Sequence, residues 1–96
     1  MKHSCYQFIV TGKVQGVFFR ASTRDKAKEL GLSGWVRNLN TGDVELIACG
    51  GSRKIEKLKK WLWQGPKSAR VTEVKEECLS EGNIFDLKGF KVRRNR

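Results

Sequence analysis

The residues whose types and spacing could do chemistry lie in Gly12-Lys13-Val14-Gln15-Gly16-Val17-Phe18-Phe19-Arg20. An apolar run of strand character precedes this stretch, and a periodic run of helical character follows it. A glycine-bearing loop that enters a helix points backbone N–H groups outward, beside the positive end of the helix dipole. Arg20 adds a planar fork of donors shaped for carboxylate or phosphate. The stretch reads as a cradle for a small anion.

A second group stands at Arg37-Asn38-Leu39. Period-two alternation puts Asn38 on the same strand face as Val36. A neutral amide is costly to pack there unless it is partnered. It is well suited to holding a water, because it offers both an acceptor and donors.

Other chemistries fit poorly. A Walker A loop needs Gly-Lys followed by Ser or Thr, whereas Gly12-Lys13 is followed by Val14. The six-residue dinucleotide glycine pattern is missing. Asp25, Asp43 and Asp86 stand in three separate segments and form no metal-binding pattern. Cys5, Cys49 and Cys78 include no C-x-x-C pair, and the single histidine, His3, is at the chain start. The expectation is therefore no metal, no cofactor and no Cys/His catalytic pair.

The elements that must position Arg20 and Asn38 follow from periodicity. Cys5 to Thr11 alternates, with Tyr6, Phe8 and Val10 on one face, which predicts a strand. Phe19, Thr23, Ala27 and Leu30 share a helical face, and Gly31 reads as a left-handed cap. Gly34 to Leu39 and Val44 to Cys49 read as two strands of a hairpin joined through Asn40-Thr41-Gly42. Ser52 is a plausible N-cap for a second helix carrying Ile55, Leu58 and Leu62, which Gln64-Gly65-Pro66 stops. A fourth strand covers about Ala69 to Cys78, with a bulge allowed between Val71 and Val74. Leu79 to Lys88 reads as a loop containing Glu81-Gly82-Asn83, and Phe90 and Val92 close a last short strand.

The order is βαββαβ plus a short extra C-terminal strand. That predicts an α+β, ferredoxin-like sandwich, with two helices on one face of an antiparallel-type sheet. Ninety-six residues make one domain, 1–96. No membrane-length apolar run and no signal-peptide pattern are present, so a cytoplasmic protein is expected. The net charge of +10 favours anionic partners, nucleic acid or a phosphorylated small molecule, unless it is only a solvated surface. The tail Lys91-Val92-Arg93-Arg94-Asn95-Arg96 is short enough to be a frayed end.

Residues 12–20, Leu-Gly-Leu-Ser-Gly-Trp-Val-Arg-Asn at 30–38, Thr-Gly-Asp-Val-Glu at 41–45 and Gly-Pro-Lys-Ser-Ala-Arg-Val at 65–71 together resemble the acylphosphatase family. The resemblance runs from about Phe8 to Val92, in family order and spacing; only the segment from Glu77 to Lys88 looks longer than usual. It implies hydrolysis of acyl phosphates to a carboxylate and inorganic phosphate, without metal or covalent intermediate. It places the phosphate-binding arginine on Arg20 and the water-orienting asparagine on Asn38. The cradling amides fall on Gln15, Gly16, Val17, Phe18, Phe19 and Arg20. Phe18 and Phe19 read as loop-anchoring core, and Thr41 as turn chemistry or a partner one layer behind the site.

In a ferredoxin-like sheet the first and third strands are antiparallel neighbours. Cys5 starts one and Cys49 ends the other, both on the non-helical face. A disulfide is geometrically plausible, and two free thiols are the alternative that a reducing cytosol favours. The rival function is an RNA-binding module of the same strand order, which needs aromatics on the open face. That face offers mainly Cys5, Gln7, Ile9, Glu45, Ile47 and Cys49, a poor stacking surface. No specific nucleic acid and no membrane partner are expected; the partners are a small acyl phosphate and phosphate, and a monomer suffices. A domain serving carbamoyl-phosphate chemistry in a larger assembly is a third possibility, which would need a separate partner chain.

Overall fold

A computed structural model describes residues 3–79 and 88–96. The loop segment at Glu81-Gly82-Asn83 and Asp86 lie outside the described residues. The elements are β1 (His3–Lys13), α1 (Phe19–Glu29), β2 (Ser33–Asn38), β3 (Val44–Gly51), α2 (Ser52–Gln64), β4 (Arg70–Leu79) and β5 (Phe90–Val92). They form a five-stranded sheet of order β4-β1-β3-β2-β5 with both helices on one face, the α+β arrangement the periodicity predicts. The pairings are antiparallel except at the β5 edge, where β5 runs parallel to β2. Among the described residues, no helix is long and apolar enough to cross a membrane.

The core is built from the alternating faces. Phe8 and Val10 of β1, Val36 of β2 and Val44, Leu46 and Ala48 of β3 are buried on the helical side. They meet Phe19 and Ala27 of α1 and Ile55, Leu58 and Leu62 of α2. Each fully buried Val, Leu, Ile or Phe among them contributes about 1.5–3 kcal/mol of transfer free energy. Gly34 lets the β2 backbone close on β3: a Cβ there would meet the Ile47 carbonyl oxygen at 1.8 Å. α1 ends as expected, with Gly31 at φ 71. The Gly31 and Leu32 N–H groups donate to Lys28 and Ala27 carbonyls, which satisfies the last turn.

The start of α2 departs from the expectation. Gly51, extended at φ −65 and ψ 142, is the N-cap, and Ser52 is the first helical residue with no capping hydrogen bond. β3 continues to Gly51 because Gly50 and Gly51 still pair with Ser4 and His3 of β1. The tail is also not frayed. Arg93 N–H donates to the Val36 carbonyl and Arg96 N–H to the Asn38 carbonyl, both at 2.8 Å, which extends the β2 edge beyond β5.

Cys5 and Cys49 are register partners on β1 and β3, and their sulfurs lie 2.08 Å apart, at bonding distance. On the same open face, Glu45 takes a hydrogen bond from Gln7 and an ion pair from Arg37. The guanidinium carbons of Arg37 and Arg93 lie 4.7 and 5.1 Å from the Trp35 ring centroid. Trp35 is thereby covered and is not presented for base stacking.

Candidate active site

Strand direction brings the chemistry together. β1 and β2 both run antiparallel to β3, and β5 runs parallel to β2. The C-terminal ends of all three therefore lie at one end of the sheet. The loop after β1, Asn38 at the end of β2 and the tail after β5 are delivered to the same place.

The loop is aimed by a bulge. Thr11 pairs with Glu73 and Gly12 with Val71, so Thr72 is the extra residue, within the Val71–Val74 stretch expected to be irregular. A bulge sharpens the local bend. It also brings the backbones close: a Cβ on Gly12 would lie 2.1 Å from the Arg70 carbonyl oxygen. Val14 and Val17 are then buried and pin the underside of the loop. Phe19 is buried too, tilted against Trp61 with ring centroids 5.8 Å apart.

Phe18 is the N-cap of α1 and the only non-glycine residue with positive φ among the described residues, at φ 61 and ψ 22. Its carbonyl accepts the Ser22 N–H at 2.9 Å. Its ring is 83% exposed. The expectation that Phe18 anchors the loop in the core is thus corrected, while Phe19 does so. No side chain caps α1, and no acidic residue stands in its first turn. The first N–H groups of a helix lack intrahelical partners, so this end is open to an anion.

Arg20 follows in that first turn, and its Nη1 donates to Asn95 Oδ1 at 2.9 Å. The remaining donors of the fork are left for a ligand. Asn38 is 7% exposed, and its Oδ1 has no hydrogen-bond partner among the described residues. Such a buried acceptor is expensive unless something fills its lone pairs.

Both residues line one cavity of about 430 Å³. Gly16, Phe18 and Phe19 of the loop join them there, with Val14, Ala21 and Arg24, and Val92 from β5. Among the described residues, two arginines and no carboxylate border it, so it favours an anion.

Three of the sequence candidates turn their side chains elsewhere. The Val17 side chain is in the core. The Gln15 side chain turns to the hairpin, where Nε2 donates to the Leu39 carbonyl at 2.8 Å and the Asp43 carbonyl at 2.9 Å. Thr41 braces the turn through Asp43 Oδ2 at 3.0 Å and does not border the cavity. The residues missed by sequence reasoning are Asn95 and Val92, along with the side-chain role of Gln15. The only signal for Asn95 was a neutral amide among arginines. Among the described residues, the two groups with displaced titration lie elsewhere: the pKa of Tyr6 is raised by its hydrogen bond to Cys78, and that of Lys59 by its hydrogen bond to Glu76.

A family model described as Acylphosphatase matches residues 6–92. A relative from Coxiella burnetii named Acylphosphatase is 53% identical over 91 residues, spanning 94% of this chain and 92% of its own length. One from Nitrosococcus oceani, also named Acylphosphatase, is 48% identical over 90 residues, spanning 94% of this chain and 98% of its own. The solved structure of an acylphosphatase from Coxiella burnetii superimposes with a TM-score of 0.89 at 50% identity, covering 95% of this chain and 93% of that one.

Proposed function

Because the chain belongs to the acylphosphatase family, and with it to the enzymes that hydrolyse acyl phosphates, we propose that water attacks phosphorus in line, without covalent intermediate or metal. The observation that carries this reading is that Arg20 and the buried Asn38, whose Oδ1 has no partner among the described residues, line one cavity.

The amides from Gln15 to Arg20 and the Arg20 guanidinium hold the phosphoryl oxygens and stabilise their charge as the P–O bond to the acyl group breaks. The Asn38 side-chain amide hydrogen-bonds the attacking water and so turns a lone pair of the water oxygen toward phosphorus. The bond from water oxygen to phosphorus forms as the acyl oxygen departs with its electron pair. A carboxylate leaves, and both water protons end on the phosphate, so an acyl phosphate dianion and water give a carboxylate and H2PO4−. A carboxylate is a weak base and needs no proton from the protein as it departs. Catalysis then reduces to orientation and charge stabilisation. Every group invoked lies on one chain, so the proposal extends to a monomer. The rival RNA-binding reading gains nothing from Trp35, whose ring the Arg37 and Arg93 guanidiniums cover.

The test is hydrolysis of acetyl phosphate, with inorganic phosphate as competitor and a chelator as control. Removing a preorganised donor costs about 3 kcal/mol, so Arg20→Ala and Asn38→Ala should each lose at least about a hundredfold in rate. Near-full turnover by either variant would overturn its assigned role. Loss of activity on adding chelator would overturn the metal-free step.

A further inference from the structure

We infer that the exposed ring of Phe18, with Val92 facing the same cavity, is the acyl-group subsite of this enzyme and selects acyl phosphates with an apolar, preferably aromatic, acyl group. The inference rests on the phosphoryl site proposed above.

Three observations converge on it. The first is space. A cavity of about 430 Å³ is the size of pockets that enclose whole small molecules, and a phosphoryl group fills only part of it. Once the loop amides, Arg20 and Asn38 are assigned to the phosphoryl group and its water, Phe18 and Val92 are the exposed apolar side chains left on the walls, 83% and 39% exposed.

The second is strain. Phe18 holds a left-handed backbone conformation, which is uncommon for a bulky residue and costs of the order of 1–3 kcal/mol. Glycine or asparagine would make the same turn at lower cost. The conformation throws the ring outward, so the free protein gains no burial from it. Both penalties are offset when a ligand covers the ring.

The third is position. Phe18 is the N-cap of the helix whose first turn holds Arg20, and Val92 is on β5, whose C-terminal end lies beside Asn38. A phosphoryl group held at the helix start leaves its acyl substituent between these two side chains. Arg24 also lines the cavity and could instead read a second anionic group. Its Nε is engaged by Asp25 Oδ1 at 3.1 Å, which partly compensates its charge.

The experiment compares kcat/KM for phenylacetyl, acetyl and succinyl phosphates, whose carboxylates are similar leaving groups. The expected order puts phenylacetyl phosphate about tenfold above acetyl phosphate, the size of one aromatic contact plus its burial. Phe18→Asn tolerates the backbone and deletes the ring, and should bring that ratio to about one. Phe18→Leu should retain part of it, and Val92→Ala should lower it. A wild-type ratio near one, or a ratio kept by Phe18→Asn, overturns the subsite. Succinyl phosphate as the best substrate overturns it in favour of Arg24. Hydrolysis of none of the three overturns the parent reading, whereas acetyl phosphate turnover without the preference removes only the inference.

Discussion

Gln15→Ala should uncouple the two halves of the site. The side chain sends two hydrogen bonds from one nitrogen across the gap between the phosphate loop and the hairpin, to the carbonyls of Leu39 and Asp43. Neither carbonyl is orphaned by the substitution: Leu39 still accepts the Gly42 N–H at 3.1 Å, and Asp43 still accepts the Leu39 N–H at 2.9 Å. The cost is then two net hydrogen bonds without a full desolvation penalty, about 1–2 kcal/mol. For a domain of this size that is a fall in Tm of roughly 4–16 °C. The catalytic cost comes through Asn38, which directly precedes the clasped residue Leu39. A displacement near 1 Å at a reacting group costs about a hundredfold. Phosphate contacts depend on the loop itself, so KM should stay within about threefold while kcat falls about ten- to a hundredfold. Gln15→Glu sharpens the test, because its carboxylate would face two carbonyl oxygens. Ionisation is disfavoured in the folded state, so the Glu pKa rises on folding, and its stability deficit against Gln15→Ala should shrink as pH falls from 7 toward 4. Steady-state hydrolysis of acetyl phosphate at 25 °C, beside thermal unfolding of the same samples, reads both effects. Unchanged kcat with a lowered Tm would refute the coupling. A raised KM at constant kcat would move Gln15 from hairpin support to phosphate binding.

Asn95→Ala should release the Arg20 guanidinium, raising the KM for acetyl phosphate and the inhibition constant of phosphate together by up to about fivefold, the worth of one hydrogen bond; Asn95→Asp should raise both further, because its charge competes with the phosphoryl oxygens, and salt should reduce that excess. Unfolding with and without reductant should show stabilities that differ by up to about 4 kcal/mol for a bond spanning 44 residues, with kcat unaffected because Cys5 lies near the start of β1 and the loop that carries Arg20 follows its other end. Mass analysis of alkylated, unreduced protein reports whether the pair is bonded where the chain is made, since a reducing compartment favours the thiols. Gly34→Ala should cost about 3 kcal/mol or more by urea unfolding, because its Cβ would meet the Ile47 carbonyl oxygen at 1.8 Å and neither backbone can yield.

What the sequence made legible was whatever a local period or a local stop signal decides. The faces of β1 and α1 follow from alternation at Phe8 and Val10 and from helical spacing at Phe19, Thr23 and Ala27, all of which are buried. Asn38 could be recognised because it breaks an apolar face. Phe18 misled because an apolar residue beside Phe19 reads as core, and only a left-handed backbone, which residue type does not reveal, turns it to water. Ser52 misled because the pairing of Gly50 and Gly51 with β1, a partner far away in sequence, set where the helix begins. The tail was hidden for the same reason. Its neighbour is β2, and the parallel pairing of β5 carries Asn95 to Arg20 across 75 residues. That distant contact has a chemical consequence. A carboxylate at position 95 would hold the guanidinium as firmly but cancel much of its charge. An amide oxygen orients Arg20 and leaves the positive charge for the phosphoryl oxygens. The frayed-end reading assigned the tail no function, whereas its one neutral polar side chain holds the arginine on which the proposed reaction depends.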